Sequence, residues 1–356
     1  MAARISAKDR VQTLINMSID NEQQLINVLS TPSPADIEAA ASLDGDLILL
    51  GAGGKMGPTL ALRARRAADL AGVKRRIIAV SRFSSEAARA ELISAGIEIM
   101  ACDLLERAGV EALPDVENVI YMTGRKFGST GGEGLTWAMN VHLAAIVAER
   151  YHSSRIVAFS SGNVYPFVPV TSGGATESTA PGPIGEYAQS VLGRERMFEY
   201  FSGLFGTPVT LLRLNYAAEL RYGVLLDIGN KVFAREPVDV TPGMVNVIWQ
   251  GDANSVCLRS FGLCQSPPAV LNLTGPEMLS VRQVATRFGE IFGVAPVFTG
   301  TESSTALLNN AARCQRLFGY PSVSVDELIA WTARWIGLGG ATLDKPTHFE
   351  TRDGKF

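Results

Sequence analysis

The sequence predicts an α/β fold, a doubly wound parallel sheet followed by a smaller C-terminal lobe. Three observations predict it. Short apolar, β-branched runs alternate with helical stretches up to residue 218, a glycine-rich turn directly follows the first run, and the alternation loosens afterwards. A strand covered by helices on both faces is apolar along its whole length, and strand–helix alternation is the chain order of a parallel sheet.

Residues 1–45 precede the first strand and read as a helical extension containing the breaker TPSP. The candidate strands are DLILL at 46–50, RIIAV at 76–80, IEIMA at 97–101, NVIYM at 118–122, RIVAF at 155–159 and VTLLR at 209–213, each brief enough to be buried. The helical stretches TLALRARRAADLA, SEAARAELISAG, TWAMNVHLAAIVAERY and EYAQSVLGRERMFEYF separate or follow them. Residues 46–218 therefore form the expected sheet domain. Residues 219–340 read as a substrate lobe interleaved with the last strands of the sheet: Gly, Pro and short apolar runs to 268, a strand at AVLNLTG, and a helix at SVRQVATRFGEIFG with Ser280 as N-cap. The tail, 341–356, is polar and irregular, and no structure is expected there.

Composition narrows the function. The 356 residues can bury a large core, and 32 Lys plus Arg against 35 Asp plus Glu leave a formal charge of -3, which gives no footing for nucleic acid or an acidic membrane. A small molecule is the expected partner. Cys102, Cys257, Cys264 and Cys314 are scattered, without a disulfide framework or zinc spacing, and read as buried thiols in a reducing compartment. His142, His152 and His348 are the only histidines, none spaced for a shared metal, so no metal site and no Ser/His/Asp triad is expected. The N-terminus lacks the apolar core of an export signal, and no apolar run is long enough to span a membrane. A cytoplasmic protein is the expectation.

The run DLILL leads straight into GAGGKMG and then a helix, with Gly51, Gly54 and Gly57 at three-residue intervals. Glycines there permit a tight turn and let backbone amides approach a pyrophosphate lying at the helix N-terminus. This Rossmann-type turn, with Gly53, Lys55 and Met56 filling it, is the expected dinucleotide cradle. A Walker A reading fails for want of its lysine. At the end of the second strand stand Ser81 and Arg82 in place of an acidic residue, and an arginine there pairs with a 2′-phosphate, favouring NADP while leaving NAD possible. Asp103, after the third strand, suits an adenine-amino contact, or serves as a turn residue.

GAGGKMG, CDL, NV at 140–141, FSSGNVYP and YAQSV together resemble the extended short-chain dehydrogenase/reductase family, the branch containing nucleotide-sugar epimerases and dehydratases. The similarity runs over roughly residues 46–335, and VNVIWQGDANSVCL and LNLTGPEMLSVRQVA add to it. The resemblance implies that Tyr187 is the acid/base, that Ser161 binds the reacting oxygen, and that Asn140 organises the cofactor side of its helix. It also assigns Leu104, Thr123, Gly124 and Tyr187 to cofactor binding. Gly162 and Asn163 stand where dehydratases place an acidic pair, so a dehydratase mechanism is not implied. What is implied is an NAD(P)-dependent oxidoreductase or epimerase acting on a sugar, sugar acid or related carbonyl, with the two helices around 136–151 and 186–201 forming a homodimer interface.

One part is exchanged. The family places a lysine four residues after the tyrosine, and this chain has Val191. A free tyrosine titrates near pH 10, so about one in a thousand is ionised at neutral pH, and valine supplies no charge to change that. Lys126 or Arg125, in the loop after the fourth strand, are candidate replacement cations, whereas Arg194 lies roughly 10 Å further along the helix axis. The other readings are a neutral Tyr187 that only donates a hydrogen bond, or a non-catalytic, cofactor-binding regulator or scaffold.

Overall fold

The computed structural model describes residues 19–83, 85–345 and 347–355. Seven strands form the central sheet: β1 Leu47–Leu50, β2 Ile77–Ser81, β3 Glu98–Ala101, β4 Asn118–Tyr121, β5 Arg155–Ser161, β6 Val209–Leu214 and β7 Ala269–Leu273. Their order is β7-β6-β5-β4-β1-β2-β3, and every pair is parallel. The β1 register shows why the strand is apolar throughout. Leu47 and Leu49 enter a cluster with Leu60, Ala61 and Val256, while Ile48 and Leu50 enter another with Leu143, Val147 and Phe198. Alternate side chains thus serve the two covered faces.

Ahead of β1 lie α1 Glu22–Ser30 and α2 Pro34–Ser42. TPSP ends the first and starts the second. Ser33 caps α2 in a reciprocal box with Asp36, and Pro34 takes the first turn, where a missing amide hydrogen costs nothing. Asp36 also holds Arg63 at 2.6 Å, with both side chains nearly sealed from solvent, and accepts from Ser255. The segment 1–18 lies outside the described residues.

The sheet is flanked by α3 Gly57–Leu70, α4 Glu86–Ser94 and α5 Arg107–Glu111. The helix expected at 136–151 is built differently: α6 Glu133–Trp137 and α7 Leu143–Arg150 are joined by a π-helical segment, Ala138–His142. Then comes α8 Gly185–Phe205, ended by Gly206 in the left-handed conformation (φ 74°) that favours glycine. Beyond β6 come α9 Val224–Phe233, α10 Gln250–Arg259, α11 Val281–Phe292, α12 Ala312–Phe318 and α13 Val325–Gly337; α10 and α12 send Val256, Cys257 and Cys314 into the cluster on the sheet, while α9, α11 and α13 gather into a lobe. Ser280 caps α11 as its sequence indicated, accepting from the Gln283 amide. Val224, Ile228, Phe288, Ile329 and Trp335 form the lobe core, which also takes Leu25 and Leu29 of α1.

Two expectations need correction. Only Cys257 and Cys314 are buried, while Cys102 and Cys264 are half-buried; all four are free thiols. The described residues of the tail lie in no helix or strand, but they are packed: Thr347 is 1 % and Phe349 4 % exposed. A polar, irregular composition hid two side chains that find partners only in the folded cleft.

Candidate active site

The candidate residues gather at the carboxyl ends of the strands, where the chain reverses its direction of winding beside β1, the usual crevice of such sheets. The turn after β1 is shaped by contacts no side chain would allow. Gly51 has φ 94°, and a Cβ on it would lie 2.7 Å from Thr123 Oγ1. A Cβ on Gly57 would lie 2.2 Å from the Ala52 carbonyl oxygen, and one on Gly53 would lie 2.5 Å from Ser81 Oγ. Gly54 differs: its Cβ would meet nothing closer than 3.4 Å, so its bareness serves the open side of the turn.

The hydrogen bonds agree. Gly51 and Ala52 amides donate to Val80 O, Gly54 to Gly51 O and Gly57 to Gly54 O. Among the described residues the amides of Gly53, Lys55 and Met56 find no acceptor. Unpaired donors at a helix N-terminus, beside a glycine with open space, fit the diphosphate of a dinucleotide. Thr123 is buried and donates to Leu50 O, and Leu104 belongs to the core beneath. At the far rim Arg82 reaches Asp103 at 3.7 Å with most of its side chain exposed, and Asp103 also accepts from the Leu105 amide as a turn residue does.

Gly124 and Asn140 work as a joint. Asn140 is fully buried; its Oδ1 accepts from the Arg125 amide at 2.8 Å and from Arg194 at 2.7 Å, and its Nδ2 donates to Arg125 O and Ser190 Oγ. A Cβ on Gly124 would collide with Arg194, 2.4 Å away. Arg194 therefore fixes the loop after β4, donating also to Phe159 O, and does not replace the missing lysine.

That loop delivers Lys126, whose Nζ lies 5.9 Å from the Tyr187 ring centre and donates to the Thr347 carbonyl at 3.0 Å. Burial pulls its pKa down to about 8 against the upward pull of Asp227. A second amine arrives from the glycine-rich turn. Lys55 Nζ stands 3.4 Å over the Tyr222 ring and donates to Ala217 O at 3.3 Å. Burial lowers its pKa to about 7; Glu219 opposes this, and the like charge of Lys126 adds to it. Both lysines line one cavity of ≈ 150 Å³ with Ser161, Asn163, Tyr187, Asn215, Tyr216 and Tyr222. Burial pushes the phenols of Tyr216 and Tyr222 up.

Ser161 ends β5 with its hydroxyl at this cavity, donating to Asn163 Oδ1 at 3.0 Å. Its neighbour Ser160 is tied behind it to Glu195, which holds Arg213 in a buried pair at 2.6 Å; Arg213 in turn donates to the Tyr165 hydroxyl, and Tyr165 to Asn272. Val191 is fully buried and packs with Val164, Tyr165 and Ala175, with Tyr187 at the edge of the group.

Sequence reasoning placed Lys55 on the cofactor turn and missed where its side chain goes. The available signal was a long cationic residue in a turn otherwise made of small residues and Met56. Asn215, Tyr216 and Tyr222 carried no motif, and their place at the cavity follows from the chain's path after β6.

The model of the NAD dependent epimerase/dehydratase family matches residues 47–218, the stretch that holds the turn, Ser161 and Tyr187. Among solved structures, the epimerase/dehydratase fold recurs in MoeE5 in complex with UDP-glucose and NAD, 19 % identical with a TM-score of 0.66 over 83 % of this chain and 99 % of that one. UDP-glucuronic acid 4-epimerase from Bacillus cereus in complex with NAD is 14 % identical, with a TM-score of 0.67 over 82 % of this chain and 98 % of that one. The DesIV double mutant, a dTDP-glucose 4,6-dehydratase from Streptomyces venezuelae with NAD and DAU bound, is 17 % identical, with a TM-score of 0.69 over 82 % of this chain and 96 % of that one. At these identities the likeness is one of fold. Among curated proteins none matches the chain. No described helix is long and apolar enough to cross a membrane.

Proposed function

We propose that the chain is an NAD(P)-dependent oxidoreductase or epimerase acting on a sugar, sugar acid or related carbonyl compound, with Tyr187 as acid/base. The observation that carries this reading is the arrival of two half-buried amines, Lys55 and Lys126, in the cavity that Tyr187 and Ser161 line. A bound nicotinamide dinucleotide supplies or takes up the hydride. Ser161 holds the reacting oxygen by a hydrogen bond, and Tyr187 gives that oxygen a proton in reduction or removes one in oxidation. Lys126, with its Nζ 5.9 Å from the Tyr187 ring centre, brings an amine to the phenol's side of the cavity, where Val191 brings none. Lys126 stands beside Tyr187, and Lys55 links the cofactor turn to the same cavity.

Gly51, Gly54 and Gly57 with the amides of Gly53, Lys55 and Met56 would hold the diphosphate. Arg82, exposed and held only at 3.7 Å from Asp103, supports NADP, while the similar structures that carry NAD keep NAD in play. A second copy of this chain is the proposed partner, supported by exposed Leu135 on α6 and exposed Tyr200, Leu204 and Phe205 on α8.

The test is a fluorescence titration with NADPH and NADH, followed by turnover on a panel of carbonyl and polyol compounds. Tyr187→Phe is expected to lower turnover at least about a hundredfold. Binding without turnover on any compound would favour the cofactor-binding regulator. Failure of both dinucleotides to bind at millimolar concentration would remove both readings.

A further inference from the structure

The C-terminal segment meets the Tyr187 cavity at Thr347 and runs on along the chamber beside it. The Thr347 amide and hydroxyl both donate to Asp227 Oδ2, at 2.8 and 2.6 Å, and its carbonyl accepts from Lys126. Glu350 pairs with Lys231 at 2.7 Å. Arg352 donates to the carbonyl and hydroxyl of Thr305 and lies 4.2 Å over the Phe167 ring. Gly354 backs onto the start of α8 so closely that a Cβ on Gly185 would lie 2.4 Å from its carbonyl oxygen. Phe349 is anchored in the lobe core.

This strap has a consequence for ligand size. One chamber adjoins the Tyr187 cavity, sharing Asn163 and Tyr216 with it, and Phe349, Thr351, Arg352 and Gly354 form one of its walls. Its volume is ≈ 30 Å³. A water needs about 10–15 Å³, so the chamber has room for two or three. The cavity at Tyr187 has ≈ 150 Å³. A substrate that reaches Ser161 and Tyr187 with its reacting carbon and carries a nucleoside diphosphate behind it would have to lay that remainder where the strap lies.

We infer that the strap excludes nucleotide-linked sugars and that the substrate at Ser161 and Tyr187 is a small, unlinked hydroxy or oxo compound of the size of one sugar or sugar acid. The inference rests on the function proposed above and narrows it. It also sets this chain apart from MoeE5, whose complexes hold UDP-glucose or UDP-glucuronic acid.

The experiment compares the full chain, saturated with whichever of NADH or NADPH binds, with the double variant Glu350→Ala/Arg352→Ala, using UDP-glucose as the probe. Affinity is read by calorimetry, and the strap by amide hydrogen exchange over residues 347–355. The full chain is expected not to bind UDP-glucose at millimolar concentration, and the loosened variant to gain affinity at least tenfold. Lys231→Met, which cuts the same anchor from the other side, is expected to move affinity the same way and serves if the double variant does not fold. Equal affinity in full chain and variants overturns the inference. So does tight binding to the full chain, whether the strap amides lose protection, as a releasable lid would, or keep it. Failure of the dinucleotide to bind at the saturation step would instead count against the proposed function.

Discussion

In the turn after β1 the decisive contacts are made by backbone, whereas around Tyr187 they are made by side chains from the turn, the loop after β4, the end of β5, α8 and the strap. A backbone site tolerates little change: its glycines are required by φ and by close approach, so the motif survives in the sequence. A side-chain site needs only the right charge at the right place, and any element that reaches it can supply that charge. The loss of a lysine at position 191 is therefore compatible with two amines at the cavity, and the loss of Gly57 would be compatible with nothing.

Variants can break this contrast, beginning with the largest effect. Gly57→Ala drives a Cβ into the Ala52 carbonyl, and a loss of about 3 kcal/mol or more is expected in denaturant melts. A small loss would mean that the turn is softer than its packing shows. Val191→Lys comes next. The sequence alone invites this variant as a repair, but position 191 is fully buried among Val164, Tyr165 and Ala175, so an ammonium there is expected to cost about 2–4 kcal/mol and to restore nothing. Gained activity without lost stability would show that the pocket still accepts the lysine.

Smaller effects sharpen the comparison. The pKa of Lys55 is about 7 in the folded chain and near the ordinary lysine value when unfolded, so between those values the unfolded state binds more protons. Its burial is therefore most costly below pH 7, and the cost disappears as pH rises toward 10. Lys55→Met is expected to stabilise the protein at pH 7 by on the order of 1 kcal/mol, with the gain shrinking by pH 10. A gain that does not depend on pH would show that Lys55 is solvated. Finally, Gly54→Ala has space for its methyl, so melting is expected to move by less than about 0.5 kcal/mol while dinucleotide affinity falls roughly tenfold. Unchanged affinity would separate the turn from the cofactor.

The same contrast explains what the sequence disclosed. The sheet was legible because the β1 residues are apolar on both faces, and the cofactor turn because Gly51, Gly54 and Gly57 sit where strand becomes helix. The cavity was only half legible. Tyr187 and Ser161 stood in a recognisable pattern, and Lys126 could be named from the loop it occupies. Lys55 was assigned to backbone duty since its side-chain direction depends on Tyr222, which lies 167 residues away in sequence and belongs to no motif. The Glu195–Arg213–Tyr165 network was invisible for a related reason, as each member looks like an ordinary surface or strand residue until the fold seals them together. The strap escaped notice because polar composition reports how a segment treats water and says nothing about a cleft waiting for it.

The π-helical segment Ala138–His142 carries one more implication. A π turn holds a surplus residue compared with an α-helix, and one residue corresponds to about 100° of rotation. The aim of Asn140, and through it the grip on Arg125 and the presentation of Lys126, depends on a count of positions as well as on an amide. Deleting a single residue just before Asn140 would remove no functional group from the cavity, yet it would turn that amide off its partners and leave the lysine loop unmoored.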